Sequence, residues 1–379
     1  MRCDKKVPTV IVVPCLNEEL CLAQTCASLG FGVGASKTPQ DTYLIIVDNG
    51  SSDNTLQVAR QILVSSKPTS VIIGHEPERG YIPPRHRGNL LAQQLCFENK
   101  WDKSQVLILQ VDADTIYSAN YIDAMRQVSF ECGYSTLVEA YVKYPPTFRR
   151  AYPAYVDLCN QVDNELAGLF CDFSDDVIVD DKACGYRLGY YFENGGHVRE
   201  YTDKKEEVYA ETSRLYMRFK AKGGKRVKVE KAYVEHSMRK VIERPLLEFA
   251  TAGFPREKTW FARWEKFLQV PSSLDKLGEN INHPNVQRAI TIRTQHLLGL
   301  FSILPAHVAR TFGSSKPPDS QFVAKTLLLL PERTIENLIS SPSLLMTDVF
   351  NLLDSVGDEM VCAANRSLME ALTSRKKKR

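Results

Sequence analysis

Short apolar runs alternate with stretches of helical periodicity through the first third of the chain. Thr9 to Val13 reads as a strand, followed by the turn Pro14 to Glu19 and a helix to about Leu29. Leu44-Ile45-Ile46-Val47 is a second strand that ends at Asp48, and Asp53 suits the N-cap of a helix running to about Leu63. Val71 to Ile73 is a short third strand, a loop from Glu76 to Arg87 follows, and a helix spans about Gly88 to Glu98. Val106 to Val111 is the fourth strand and runs into Asp112-Ala113-Asp114. Continuous apolar runs rich in β-branched residues are the mark of strands buried on both faces. Their alternation with helices predicts an α/β fold with a right-handed, doubly wound, mostly parallel sheet.

The pattern loosens from Ser135 to Gly196. Pro145-Pro146 breaks the chain, a helix is expected from about Tyr152 to Phe170, and Asp175 to His197 reads as an aromatic, glycine-bearing loop. A helix from about Glu207 to Lys222 stops at Gly223-Gly224, a good C-cap pair. Arg226 to Val229 is a strand, with Tyr233-Val234-Glu235-His236 shortly after it. Beyond about Arg244 strand signals fade into helices separated by prolines, a helical C-terminal subdomain over residues 244–379.

Composition is that of a globular protein, with 44% hydrophobic and 25% charged residues in 379. The net charge of +3 gives no support for nucleic acid as the main partner. Only Arg375-Lys376-Lys377-Lys378-Arg379 is densely basic; it reads as a solvated tail, with peripheral contact to anionic lipid as the sharper alternative. No apolar run reaches the ~18 residues of a membrane span. Leu297 to Leu304 and Thr326 to Leu330 stop at Pro305 and Pro331. The N-terminus lacks a signal-peptide pattern and the ten cysteines lack metal-ligand spacing, so a cytoplasmic protein with reduced thiols is expected.

The chemistry-bearing residues stand at strand ends, where open α/β sheets bind ligands. Two carboxylates two positions apart, Asp112 and Asp114, can share a hard divalent cation through oxygen. Asp48 is placed to accept hydrogen bonds from a base or ribose, and Gly50 permits close backbone approach. Arg79, Arg85 and Arg87 concentrate positive charge before a helix N-terminus, where guanidinium forks and free N–H groups suit phosphate.

These segments together resemble family-2 glycosyltransferases of the GT-A fold. Val10 to Glu19 is similar to their opening strand and turn, the Asp48 segment to their second nucleotide-binding segment, and Asp112-Ala113-Asp114 to their metal-binding Asp-X-Asp triplet. Glu211, Leu215, Arg218 and Gly223 resemble the acceptor-side helix, and His236 the histidine that often follows it. The match covers roughly residues 7 to 240 and implies a GT-A-like domain over 1–243, with a nucleotide-sugar half (1–115) and an acceptor half (116–243). It further implies that Pro14, Asn17, Glu18, Asp48 and Gly50 line the nucleoside pocket, that Arg87 meets phosphate, and that Asp112 faces ribose or metal. Asp114 and His236 would hold Mn²⁺ or Mg²⁺, the histidine favouring Mn²⁺. The implied reaction is inverting transfer from a nucleotide-diphosphate sugar, UDP ahead of GDP, to a glycan, lipid-linked, protein or small-molecule hydroxyl.

The chain departs from the family where an Asp often serves as general base: the pair here is Glu211-Thr212. Threonine is no base at neutral pH, which moves the role to Glu211, with Asp180 and Asp181 as alternatives. Arg239-Lys240 would close over the leaving diphosphate. Trp260 to Trp264 lacks the glutamine of processive synthases and reads as a helix face turned to a core. A sugar-phosphate nucleotidyltransferase should carry a glycine-rich, arginine-bearing loop where Pro14 to Glu19 stands. The non-enzymatic rival is a carbohydrate-binding protein derived from the same fold, with Thr212 as its best support.

Overall fold

The computed structural model describes residues 8–36, 39–67, 70–169, 176–254, 258, 260–262, 274–277, 281–313 and 321–360. The chain divides into two compact units. The first comprises Met1–Lys143, Val179–Arg199 and Glu211–Ser237; the second comprises Tyr144–Ile178, Glu200–Ala210 and Met238–Arg379. The expected division at residue 243 is contiguous, whereas these units interleave along the chain.

The first unit is built on an eight-stranded sheet in the order β3-β2-β1-β4-β7-β6-β8-β5. Strands β1 (Thr9–Cys15), β2 (Thr42–Asp48), β3 (Val71–His75) and β4 (Leu107–Val111) are parallel neighbours. Both faces of this half are covered, which explains the unbroken apolar runs. Ile11, Val13, Leu44, Ile46, Leu107 and Leu109 belong to a core shared with Leu22 and Cys26 of helix α1 (Leu22–Ser28) and Ala59 and Ile62 of α2 (Thr55–Ser65). The opposite face meets α3 (Ile82–Asn99). There Gly88 lies so close to β1 that a Cβ would sit 2.1 Å from Val12 Cγ1. A side chain would push α3 off the sheet, so glycine is required for this approach.

The other half is mixed. β7 (Ala183–Arg187) runs antiparallel to β4 and to β6 (Thr136–Lys143), β8 (Lys225–Glu235) is parallel to β6, and the two-residue β5 (Ile116–Tyr117) pairs antiparallel with β8. The result is a mostly parallel sheet with helices on both faces, as expected, interrupted by an antiparallel strand.

Several local expectations are corrected. The segment Asp175 to His197 is not one loop: it carries β7 and α7 (Leu188–Glu193). β6 was hidden in the loosened pattern, and 226–229 and 233–235 belong to one strand with a register shift opposite Ala140/Tyr141. Helix α3 begins six residues early because Pro83-Pro84 occupy its first turn, where a missing N–H costs nothing. Asn54 takes the N-cap position of α2, while Asp53 accepts from the Thr55 and Glu19 amides beside it. Helix α8 (Glu211–Ala221) starts after Ala210, whose φ of 61° breaks a helix from Glu207.

The second unit is helical. α5 (Pro146–Ala151), α6 (Pro153–Leu166), α9 (Arg239–Glu243), α10 (Pro245–Thr251) and Pro284–Leu298 surround a core of Tyr155, Val162, Phe249, Ile290 and Leu298. Arg293 ties them together, paired with Asp163 at 2.8 Å and donating to the Phe249 carbonyl at 2.8 Å. Trp260 is 5% exposed with its ring 5.0 Å from His296, a core position as its aromatic neighbours suggested; Arg263 and Trp264 lie outside the described residues. Arg239 and Lys240 are exposed in this unit, and the basic run 375–379 lies outside the described residues. Among the described residues no helix is long and apolar enough to cross a membrane.

Candidate functional site

Sheet geometry gathers the sequence-predicted residues of the first unit at one edge. β1, β2 and β4 end there, and Cys15 pairs with Asp48, so the turn after β1 and the loop after β2 leave side by side. β7, being antiparallel, begins at the same edge: Val111 pairs with Ala183, which puts Asp112 beside Lys182 as the next positions outward. β8 ends there too. Ile116 pairs with Glu235, so Thr115 and His236 follow as neighbours, with Asp114 one residue beyond.

The loop after β2 is held by its own polar groups. The Asp48 carboxylate, 6% exposed, accepts from the Gly50 amide at 3.1 Å and the Ser51 amide at 3.2 Å. Gly50 adopts φ 74°, in the left-handed region, and its carbonyl accepts from Arg79. Asn17, at φ 57°, receives the Ser52 amide on its side-chain oxygen at 2.8 Å and donates its own amide to Ser51 Oγ at 3.0 Å. The Glu18 amide donates to Thr55 Oγ1 at 2.7 Å, and Pro14, next to last in β1, is half-buried. Asn17, Glu18, Asp48 and Gly50 are thus brought together, with Asn17 and Asp48 spending hydrogen-bonding capacity on the loop itself.

The loop after β4 is surrounded by charge. Arg85 places Nη2 2.7 Å from Asp112 Oδ1, Nη1 3.3 Å from Glu211 Oε1, and donates to the Tyr81 carbonyl at 3.0 Å. Burial would lower the guanidinium pKa, but Glu211 and then Asp112 raise it above its ordinary value. Asp112 is itself pushed up by burial, against the pull of Arg85 and Lys182. Arg87 is exposed on the outer side of α3, so Arg85 is the arginine that the structure brings to the acidic residues. Its signal lay in the stripe Ile82, Arg85, Asn89, Ala92 and Cys96, all buried at helical spacing.

His236 is neutral. Burial and then Lys182 bring its pKa down to about 4, with Asp180 and Asp114 opposing. A neutral imidazole near a carboxylate is a chemically competent ligand pair. Among the described residues no group of three or more His, Cys, Asp and Glu side chains is arranged to hold a metal. Asp114 and His236 would therefore have to be completed by ligands from a bound diphosphate, a common arrangement for Mg²⁺.

Thr212 is fully buried, accepts from Gln110 Nε2 at 2.9 Å and donates to Asp181. Gln110 Oε1 meets His197 Nε2 at 2.8 Å, continuing a polar layer through the sheet. Beside it Glu211 is 3% exposed, and the Asp181 carboxyl is pushed up to about 8, first by burial and then by Glu211. Asp181 joins the site as a residue the sequence offered only as an alternative.

The mostly parallel sheet with helices on both faces is a GT-A-type fold. Residues 10–187 match the model of glycosyl transferase family 2. No curated protein matches the chain. Among solved structures, residues 1–349 of S. aureus TarS are similar at 12% identity, covering 97% of this chain and 91% of that one, with a TM-score of 0.42. The mannosyltransferase PcManGT from Pyrobaculum calidifontis, solved with GDP-Man and Mn²⁺, is similar at 14% identity, with coverage of 92% and 87% and a TM-score of 0.43. GalNAc-T7 with UDP, GalNAc and Mn²⁺ gives 10% identity, coverage of 93% and 58%, and a TM-score of 0.43.

Proposed function

We propose that the chain transfers a sugar from a nucleotide-diphosphate donor, UDP-linked ahead of GDP-linked, to an acceptor hydroxyl by single displacement with inversion. One observation carries the reading: within a family-2 domain, Asp48, Asp112, Asp114, His236 and Glu211 belong to elements meeting at one sheet edge, with Arg85 joining Asp112 to Glu211. The nucleoside lies along Pro14, Asn17, Glu18, Asp48 and Gly50, where loop-locking hydrogen bonds keep the surface preorganised. Asp112 faces the ribose, with Arg85 fixing its carboxylate. Asp114 and His236 hold a divalent metal, Mn²⁺ or Mg²⁺, which when bound neutralises charge on the leaving diphosphate.

Glu211 is the proton acceptor. Thr212 is occupied by Gln110 and Asp181, which supports its structural role and leaves the carboxylate before it as the base. Arg87 is exposed and serves phosphate only from the periphery. The acceptor is a hydroxyl-bearing glycan, lipid-linked sugar, protein or small metabolite, and the reading places the reaction in the cytoplasm.

The test is calorimetric titration of the purified protein with UDP and GDP, with and without Mn²⁺, repeated on Asp114→Ala. Micromolar, metal-enhanced binding that disappears in the variant is expected. Absence of binding by either nucleotide in every condition sinks the reading and favours a fold-derived binding protein.

A further inference from the structure

We propose that Lys182 is a built-in cation of the donor site, whose ammonium leaves Asp180 to bind the diphosphate of the incoming nucleotide. The inference rests on the nucleotide-sugar reading and adds a residue to it. Register is the first argument: the Val111–Ala183 pair sends Asp112 and Lys182 out of the sheet as adjacent chains. Tyr117 fixes this juxtaposition, since its hydroxyl accepts from the Asp112 amide at 3.0 Å and donates to the Lys182 carbonyl at 2.9 Å. The backbone beneath the lysine is therefore clamped to the Asp112-Ala113-Asp114 loop.

Charge is the second argument. The carboxylates of Asp112, Asp180 and Asp181 all act on the Lys182 ammonium, and the same ammonium acts on His236 beside Asp114. A diphosphate approaching so many carboxylates needs positive charge already in place. Arg85 does not supply it, being 7% exposed with its two ends on Asp112 and Glu211. Lys182 differs. It is 24% exposed, and its ion pair is with Asp180 at 2.5 Å, itself 27% exposed. A lysine of this kind has a flexible stem and an ammonium with three donors, so it can exchange one anionic partner for another without moving the backbone. Asp180 is anchored separately, its amide donating to Glu139 Oε1 at 2.9 Å, so the carboxylate remains as a parking position.

The experiment compares UDP and GDP with the matching nucleosides, by calorimetry in EDTA and then with Mn²⁺, on wild type, Lys182→Met, Lys182→Arg and Asp180→Asn. In EDTA the wild type should bind the diphosphate more tightly than the nucleoside. Lys182→Met should weaken the diphosphate by about 10- to 100-fold, the range of one charged hydrogen bond, and leave the nucleoside unchanged. Lys182→Arg should retain most of the affinity. Asp180→Asn, which frees the ammonium, should tighten diphosphate binding, so the inference stays testable if Lys182→Met fails to fold. Unchanged or tighter diphosphate binding in a folded Lys182→Met, weaker binding in Asp180→Asn, or wild-type binding that requires Mn²⁺ would each overturn the proposal while leaving the donor reading standing. Failure of wild type to bind any nucleotide or nucleoside overturns both.

Discussion

Two acidic loops sit at the same sheet edge and are built in opposite ways. In the loop after β2, carboxylate and amide groups turn inward: Asp48 on Gly50 and Ser51, Asn17 on Ser52, Asp53 on Thr55. In the loop after β4, the acidic groups face other elements, with Arg85 from α3 and Lys182, the residue just before β7, as their counter-charges. The first is a shaped surface that offers backbone and a fixed carboxylate. The second is a balance of charges held between elements. Short acidic stretches that look alike in sequence thus divide the work of shape and charge.

The sharpest way to break the comparison is at Arg85. Arg85→Met leaves the buried Glu211 without its paired cation and Asp112 with Lys182 alone, and should cost roughly 3 kcal/mol or more in urea unfolding. Arg87→Met, on the exposed side of the same helix, should stay within about 0.5 kcal/mol. Equal losses would show that the arginine bridge does not organise the second loop.

A pH-dependent effect comes next, at Asp181. Its carboxyl sits at about 8 in the folded chain, above an ordinary value near 3.8, through burial and Glu211. A raised carboxyl favours the fold fully below the unfolded value and loses that contribution as pH climbs through the folded value. Asp181→Asn should therefore gain stability relative to wild type between about pH 4 and pH 8, read from thermal midpoints across the range. A constant difference over that window would count against the buried carboxyl pair. The smallest effect belongs to the first loop. Asn17→Ala loses the Ser52 clasp and should cost about 1 kcal/mol, while Asn17→Gly, which tolerates the positive φ, should cost less. Equal costs, or a larger cost for Asn17→Gly, would mean that the positive φ at this position does not set the difference between the two variants.

What could be read in the sequence follows the same division. β1, β2 and β4 are buried on both faces, so their apolar runs announced them, and Asp48, Asp112 and Asp114 were legible as the first polar residues after each run. β7 gave no such signal because Tyr186 and Arg187 are buried polar residues with partners in distant segments, Asn89 and Gln110 among them. A strand satisfied by long-range hydrogen bonds looks like a loop until its partners are known. The choice between Arg85 and Arg87 turned on helix phase, which shifted once Pro83-Pro84 were recognised as a first turn. His236 needed β8 to end opposite Thr115, a pairing between residues far apart in sequence.

The antiparallel insertion of β7 has an evolutionary consequence. Because the residue facing Asp112 is set by counting outward from a strand pair, deleting or adding a single residue just before Ala183 would change its neighbour from a cation to an anion or to an uncharged side chain. The charge beside Asp112 would then change in one genetic event, with neither the sheet nor the Asp112 loop rebuilt.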